Sequence, residues 1–290
     1  MLPPQEPEPS PPGEPLPDAA LDAAFLANQT ALPEALPPPV GTTPAAELVV
    51  AAAQGKRGAA WRLLHWIGED NREALEAIRI CSDARLFERL LEWLALGTWA
   101  GKPFKVPLAL RQPPLRNRVR ALFLSAAPAG LSQQVLLGGL RDARPALNAE
   151  AAHLLGMLGE SAVPTLLEAA RSPEAGARWH ALRLLGSFHE RRGLPIMVQA
   201  LADHDYSVAW MAARTLSTMG TPVVRPILHL LSTAPLTPWL METSAYALHA
   251  QHHPQLRSFL EPVLRAMRSV EYRIEVPLAV EHALATLPGS

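Results

Sequence analysis

The chain has 290 residues, 49% of them hydrophobic, and a formal net charge of -1. Such a length allows one large or two small domains with a sizeable core, and the dominance of Ala and Leu favours helix, because both lose little on entering one. The single cysteine, Cys81, excludes an internal disulfide or a cysteine metal cluster.

Several targeting features are also missing from the reading. No apolar segment reaches the length of a membrane helix, and no basic stretch followed by an apolar run opens the chain. The expectation is a soluble, cytoplasmic protein without a membrane partner. Lys supplies only three of the 26 basic residues, a usage that points to a GC-rich bacterial genome. Asn28-Gln29-Thr30 matches a glycosylation acceptor, which carries no weight without a secretion signal.

Residues 1–45 hold thirteen prolines, which cannot propagate a helix or a sheet and leave little apolar area to bury. This segment is expected to be a disordered arm. It is acidic: residues 1–55 contain seven Asp or Glu and no Lys or Arg, and the rest of the chain is mildly basic. Within it, Leu21, Phe25 and Leu26 could share a helical face, either as residual helicity in a linker or as a short docking helix.

Residues 46–100 are expected to form an N-terminal helical capping region. Asp70 and Glu73 have the spacing of a capping box, and Leu86, Leu90, Leu91 and Leu94 fall on one stripe. The stretch 97–116 has four prolines and two glycines, so a Pro-rich loop is expected over 101–114.

Self-similarity then takes over. AAHLLGMLGESAVPTLLEAA (151–170), ALRLLGSFHERRGLPIMVQAL (181–201) and AARTLSTMGTPVVRPILHLL (212–231) align at Ala151, Ala181 and Ala212 and at Leu155, Leu185 and Leu216. Each unit reads as helix, turn, helix. A pair of such short helices cannot bury its apolar faces alone, so neighbours must stack. In this register His189 aligns with the turn glycines Gly159 and Gly220. His189-Glu190 is thereby expected in a solvated turn between helices and not in a metal site.

These units resemble HEAT repeats, in the short form found in bilin-lyase-like HEAT proteins. The resemblance rests on Asn148, Ala151, Leu155 and Gly156, on Arg178, Ala181, Leu185 and Gly186, and on Val208, Ala212, Leu216 and Gly220. RVRALFLSAAPAGLSQQVLLGGLRD looks like a weaker copy upstream. METSAYALHAQHHPQLRSFLEPVLRAM looks like another downstream, and VPLAVEHALATL like a half-repeat cap. The resemblance implies an all-α fold, a right-handed superhelix (solenoid) of HEAT-like hairpins over 115–290, with the second helices lining the concave face. The polar positions there, Gln133, Gln134, Glu168, Arg171, Gln199, Arg225 and His229, become the expected partner-binding surface.

Chemistry-bearing patterns are sparse, and no catalytic, metal or cofactor site is expected. Di-iron HEAT enzymes use several His-Glu dipeptides, whereas this chain has one, with Glu281-His282 reversed. His249, His252 and His253 form an H-x-x-H-H cluster followed at once by Pro254, without the carboxylate or cysteine a metal site needs. No nucleotide or nucleophile fingerprint occurs.

Two surface features remain. Between Glu92 and Asp142 there is no acid, and Lys102, Lys105, Arg111, Arg116, Arg118, Arg120 and Arg141 form a basic run that could attract polyanions. Trp179 and Trp210 occupy one repeat position, with Trp239 following. That row reads as a packing ladder or as an exposed aromatic strip for a peptide. The chain is read as a non-catalytic scaffold or adaptor for a protein partner. The alternatives are a nucleic-acid-binding HEAT protein using residues 102–120 and a tetrapyrrole lyase-like protein.

Overall fold

Helix signals in the sequence become helices with identifiable caps. In the computed structural model the described residues are 43–105, 113–126, 129–251 and 253–287. Leu21, Phe25, Leu26, Arg111, His252 and nearly all of the Pro-rich arm lie outside them. From Thr43 onward the described residues form one compact unit, and among them no helix is long and apolar enough to cross a membrane.

The first helices are α1 (Pro44–Ala53), α2 (Arg57–Gly68), α3 (Arg72–Arg79) and α4 (Ala84–Leu96). Thr43 caps α1, accepting from the Ala46 N–H at 3.3 Å, and Asp83 caps α4, accepting from the Arg85 N–H at 3.0 Å. The expected capping box shifts by one residue. Asn71, not Asp70, accepts the Ala74 N–H at 3.0 Å, while Asp70 takes a left-handed φ of 59° in the turn before it. Asn and Asp both cap well, so spacing alone did not choose between neighbours. Leu86, Leu90, Leu91 and Leu94 are buried together, as their stripe requires.

The stretch expected as a loop holds a small antiparallel hairpin, β1 (Thr98–Trp99) with β2 (Lys102–Pro103), pairing Trp99 with Lys102. Trp99 drives it. Its ring is fully buried, and its Nε1–H donates to the Ala52 carbonyl at 3.1 Å. Burying so large a ring with its one donor satisfied fixes a segment whose Gly and Pro content argues for irregularity.

Next come α5 (Pro113–Ala126), α6 (Ala129–Arg141), α7 (Pro145–Leu158), α8 (Val163–Ala169), α9 (Ala175–Ser187), α10 (Leu194–Gln199), α11 (Tyr206–Ser217), α12 (Val224–Thr233), α13 (Pro238–His249), α14 (Pro254–Ala266) and α15 (Tyr272–Thr286). The fold is an all-α solenoid in two layers. In one, α4, α7, α9, α11 and α13 pack in succession. In the other, α6 packs on α8, α10 on α12, and α12 on α15.

The weaker copy expected upstream, at 118–142, takes another form. Helix α5 packs on α2, α3 and α4, whereas α6 packs on α4 and α7. Arg116 and Arg118 anchor α5 there: Arg116 donates to the Leu94 carbonyl at the end of α4, and Arg118 to the Gly68 carbonyl at the end of α2. At the other terminus α15 closes the second layer against α12 while also packing on α14.

The repeat register is confirmed atom by atom. Ala151, Ala181, Ala212, Leu155, Leu185 and Leu216 are all fully buried. Gly159, His189 and Gly220 have positive φ values of 61°, 52° and 76° at the aligned turn position. At Gly186 a side chain would collide with the Thr215 methyl, so glycine permits the close approach of α9 and α11. Two of the aligned polar positions clamp the preceding second helix. Asn148 Nδ2 donates to the Gly139, Leu140 and Asp142 carbonyls at 2.8–2.9 Å. Arg178 donates to the Ser172 and Pro173 carbonyls and, bidentately at 2.7 Å, to Asp203. At the third position Val208 is simply core.

Candidate functional site

The polar positions expected on the second helices do not form a single free surface. Gln133 is half-buried between repeats, donating to the Ser161 carbonyl at 3.0 Å and accepting from Thr165 Oγ1 at 3.1 Å. Arg225 donates to the Leu287 carbonyl at 3.2 Å and so ties α12 to the end of α15. Both therefore have internal work. Consecutive helical residues point about 100° apart, so Gln134 leaves that row. It lines a cavity of about 400 Å³ between α4 and α6 together with Glu88, Arg89, Glu92, Asp142 and Arg144. Glu168, Arg171, Gln199 and His229 are exposed, with Glu168 paired to Arg141 at 3.1 Å and Arg171 donating to the Leu167 carbonyl at 2.9 Å.

Four of the five charged residues lining the α4–α6 cavity form two ion pairs. Arg144 pairs with Asp142 at 2.8 Å and Arg89 with Glu92 at 3.0 Å. Burial raises the Glu92 pKa, but hydrogen bonds from Thr98 and the Gly101 N–H, both 2.7 Å, together with Arg89 outweigh it and hold the carboxyl below its usual range. The Glu92 carboxylate is thereby held ionised and fully partnered.

The basic run is dispersed in the same way. Arg116 and Arg118 point to different helix ends, as above, and Arg120 forms a bidentate pair with Glu150 at 2.7 and 2.9 Å. Lys102 and Lys105 are exposed near the β-hairpin. Arg116 and Arg118 are exposed as well.

The histidine patterns resolve into structure. Glu190 caps the short turn of helix at Arg191–Gly193, accepting from the Arg192 N–H at 2.8 Å and from the Arg192 guanidinium at 2.8 and 3.0 Å. The Arg192 hydrogen bond pushes its pKa down to about 2. His189 is the left-handed turn residue before it. His249 borders a cavity of about 290 Å³ beside Arg257 and Glu261, and His253 is exposed at the start of α14. Among the described residues no three His, Cys, Asp or Glu come together as a metal cage. Cys81 is half-buried beside the core, and burial pushes its thiol pKa up.

The aromatic row is the feature the fold does bring together. Trp210 and Trp239 are linked through two tyrosines that sequence reasoning passed over. Tyr206 stacks on Trp210 at 6.2 Å and meets Trp239 edge-on at 5.0 Å, and Trp210 meets Tyr246 at 4.8 Å. All four rings lie on α11 and α13 of the first layer. Tyr206 and Tyr246 remain 46% and 42% exposed, and Trp210 and Trp239 are half-buried. On α9, Trp179 carries the Arg183 guanidinium over its ring at 5.7 Å. A readable signal was present: WHALR at 179–183 and WMAAR at 210–214 set an Arg one turn after each aligned Trp, and Arg214 is exposed.

The family comparison agrees with the architecture. The HEAT repeat family matches residues 133–201 and 163–249, and the helical hairpins of that span are HEAT repeats. Among curated proteins none matches the chain. Among solved structures an engineered protein is similar at 16% identity, over 72% of this chain and 96% of that one, with a TM-score of 0.31.

Proposed function

We propose that the chain is a non-catalytic, cytoplasmic scaffold or adaptor that binds another macromolecule through the surface of its repeats. One observation carries this reading. Large rings stay partly open on α11 and α13, with Tyr206 and Tyr246 46% and 42% exposed and Arg214 exposed one turn after Trp210. Trp, Tyr and Arg are the residues that dominate binding energy at protein interfaces.

The test is affinity capture from the native cell with the wild-type chain and with Tyr246→Ala, followed by reconstitution of any partner from purified components. A partner that binds both forms equally would keep the adaptor reading and move the interface off the ring row. The absence of a reconstitutable protein partner, with salt-dependent binding to DNA or RNA, would favour the nucleic-acid alternative. A visible chromophore on the purified chain would favour the lyase-like one.

A further inference from the structure

We infer that the outer face of α15 is a homodimer interface. A second copy of this chain packs its own α15 there, the two helices parallel and crossing at Ile274, with Arg273 of each copy set between Glu271 and Glu275 of the other. This surface is separate from the ring row on α11 and α13 and does not rest on the adaptor reading.

One side of α15 packs on α12 and α14, burying Val276, Val280 and Ala283. Two residues along a helix make a rotation of about 200°, so Ile274 and Leu278, two before and two after Val276, stand on the opposite side. Both are 63% exposed, and Val270, in the turn that leads into α15, is 96% exposed, the most open large apolar side chain among the described residues. Pro277 beside them is exposed as well. Single exposed apolar residues are ordinary, and Val50, Ile80 and Met157 are of that kind, each on or beside a different helix. Three at successive four-residue steps form a contiguous patch, the mark of an interaction surface. Solenoids ordinarily close their ends with a polar outer face, and α15 presents an apolar one.

Charge names the occupant. Residues 273 and 275 stand about 100° to either side of Ile274, and Glu271 about 60° from it on the Glu275 side. The stripe therefore has an acidic edge, Glu271 and Glu275, and a basic edge, Arg273, all three exposed. On α14 such charges are matched at home, with Glu261 lying 4.0 and 3.9 Å from Arg257 and Arg265. Arg273 instead lies over the neighbouring Tyr272 ring at 5.8 Å. A partner helix of one charge would leave one edge unmatched, whereas a second copy matches both. In a two-fold pair of parallel helices the acidic edge of each meets the basic edge of the other. In an antiparallel pair each edge meets itself, acid on acid and Arg on Arg, so charge selects the parallel arrangement. There Arg273 of one copy stands midway in height between Glu271 and Glu275 of the other, about 3 Å of rise from each, and symmetry makes the contact twice.

The spacing fits as well. Val270, Ile274 and Leu278 form a row of spacing four, and two such rows pack at a crossing angle of about −50°. Contact is thereby concentrated near Ile274, where the matched charges stand. Glu281, seven residues on, lies about 10 Å farther along the axis, where crossed helices have diverged, so its two copies do not meet. A single helix crossing is a small interface of the transient class, and the dimer is accordingly concentration-dependent.

Sedimentation velocity of the full chain at rising concentration should show a reversible monomer–dimer equilibrium. Ile274→Glu should weaken it at least about tenfold. Arg273→Glu should weaken it too, as should Glu271→Lys combined with Glu275→Lys, and an equimolar mixture of those two charge variants should associate again because each edge then meets its opposite. All of these are exposed positions, and unaltered melting curves by circular dichroism show that loss of the dimer is not loss of fold; if Ile274→Glu melts early, Leu278→Ser takes its place. A chain that stays monomeric up to its solubility limit overturns the proposal. So does a dimer that keeps wild-type strength in Ile274→Glu or in Arg273→Glu. Tyr246→Ala should dimerise as the wild type does; a dimer lost with that change places the contact on the ring row and overturns the proposal as well.

Discussion

The basic run at 102–120 and the ring row on α9, α11 and α13 look alike in the sequence: each is a series of residues suited to binding, set on helices. The structure separates them. The Arg116, Arg118 and Arg120 guanidinium groups each have an acceptor on another helix, two helix-end carbonyls and the Glu150 carboxylate, while Arg116 and Arg118 stay exposed; the Tyr206, Trp210 and Tyr246 rings instead meet one another. A charged side chain near a helix end readily finds a carbonyl there. A ring on the outer side of a packed helix has no such exit. What matters for function is therefore whether a side chain has found its partner within the fold, and composition does not report that.

The largest effect expected on the internal side of this contrast is at Arg178, the most buried of the engaged arginines. Arg178→Ala would leave Asp203 uncompensated and the Ser172 and Pro173 carbonyls without a donor. The expected loss is about 3–5 kcal/mol in urea unfolding, and a change below about 1 kcal/mol would mean that these arginines are not holding the repeats together. Arg120→Ala should cost less, about 1–3 kcal/mol, since Glu150 then loses its partner while Arg120 itself is partly solvated. Its binding to an oligonucleotide should be unchanged; unchanged stability with weaker oligonucleotide binding would return the basic run to the surface.

On the aromatic side, pH gives an intermediate effect. Burial, aided by Arg183, pushes the His180 pKa down from 6.5 to about 4, and its ring lies edge-on to Trp179 at 4.9 Å. The folded state then binds fewer protons than the unfolded one between those values. The stability contributed by the neutral ring is complete above about pH 6.5 and is lost as pH falls toward 4. The urea midpoint should drop between pH 7 and pH 4.5, and His180→Gln should flatten that dependence; an equal drop in both forms would assign it to other groups.

The smallest effect is expected at the turn. His189 holds a left-handed φ where the aligned residues are glycines, so His189→Gly should gain about 0.5–1 kcal/mol by relieving that strain. A thermal shift downward would show that the imidazole has a stabilising contact the turn geometry conceals.

By itself the sequence determined the repeats. The recurrence of Ala151, Ala181 and Ala212 with their leucines, and of a turn residue at 159, 189 and 220, is local patterning. Helical period and turn chemistry translate it directly into hairpins that must stack. It also determined that His189-Glu190 lies in a turn, because alignment to two glycines carries that information. Only the tertiary structure decided which polar residues remain available. Gln133 and Arg225 read as surface residues until Ser161, Thr165 and Leu287, contributed by other helices, arrive as partners. Trp99 reads as part of a loop until the Ala52 carbonyl is brought to its indole. Tyr206 and Tyr246 gain meaning only when α11 and α13 lie side by side. The physical reason is range: turns and helix faces are fixed by residues a few positions apart, whereas the satisfaction of these donors depends on atoms 28 to 62 residues away in the chain.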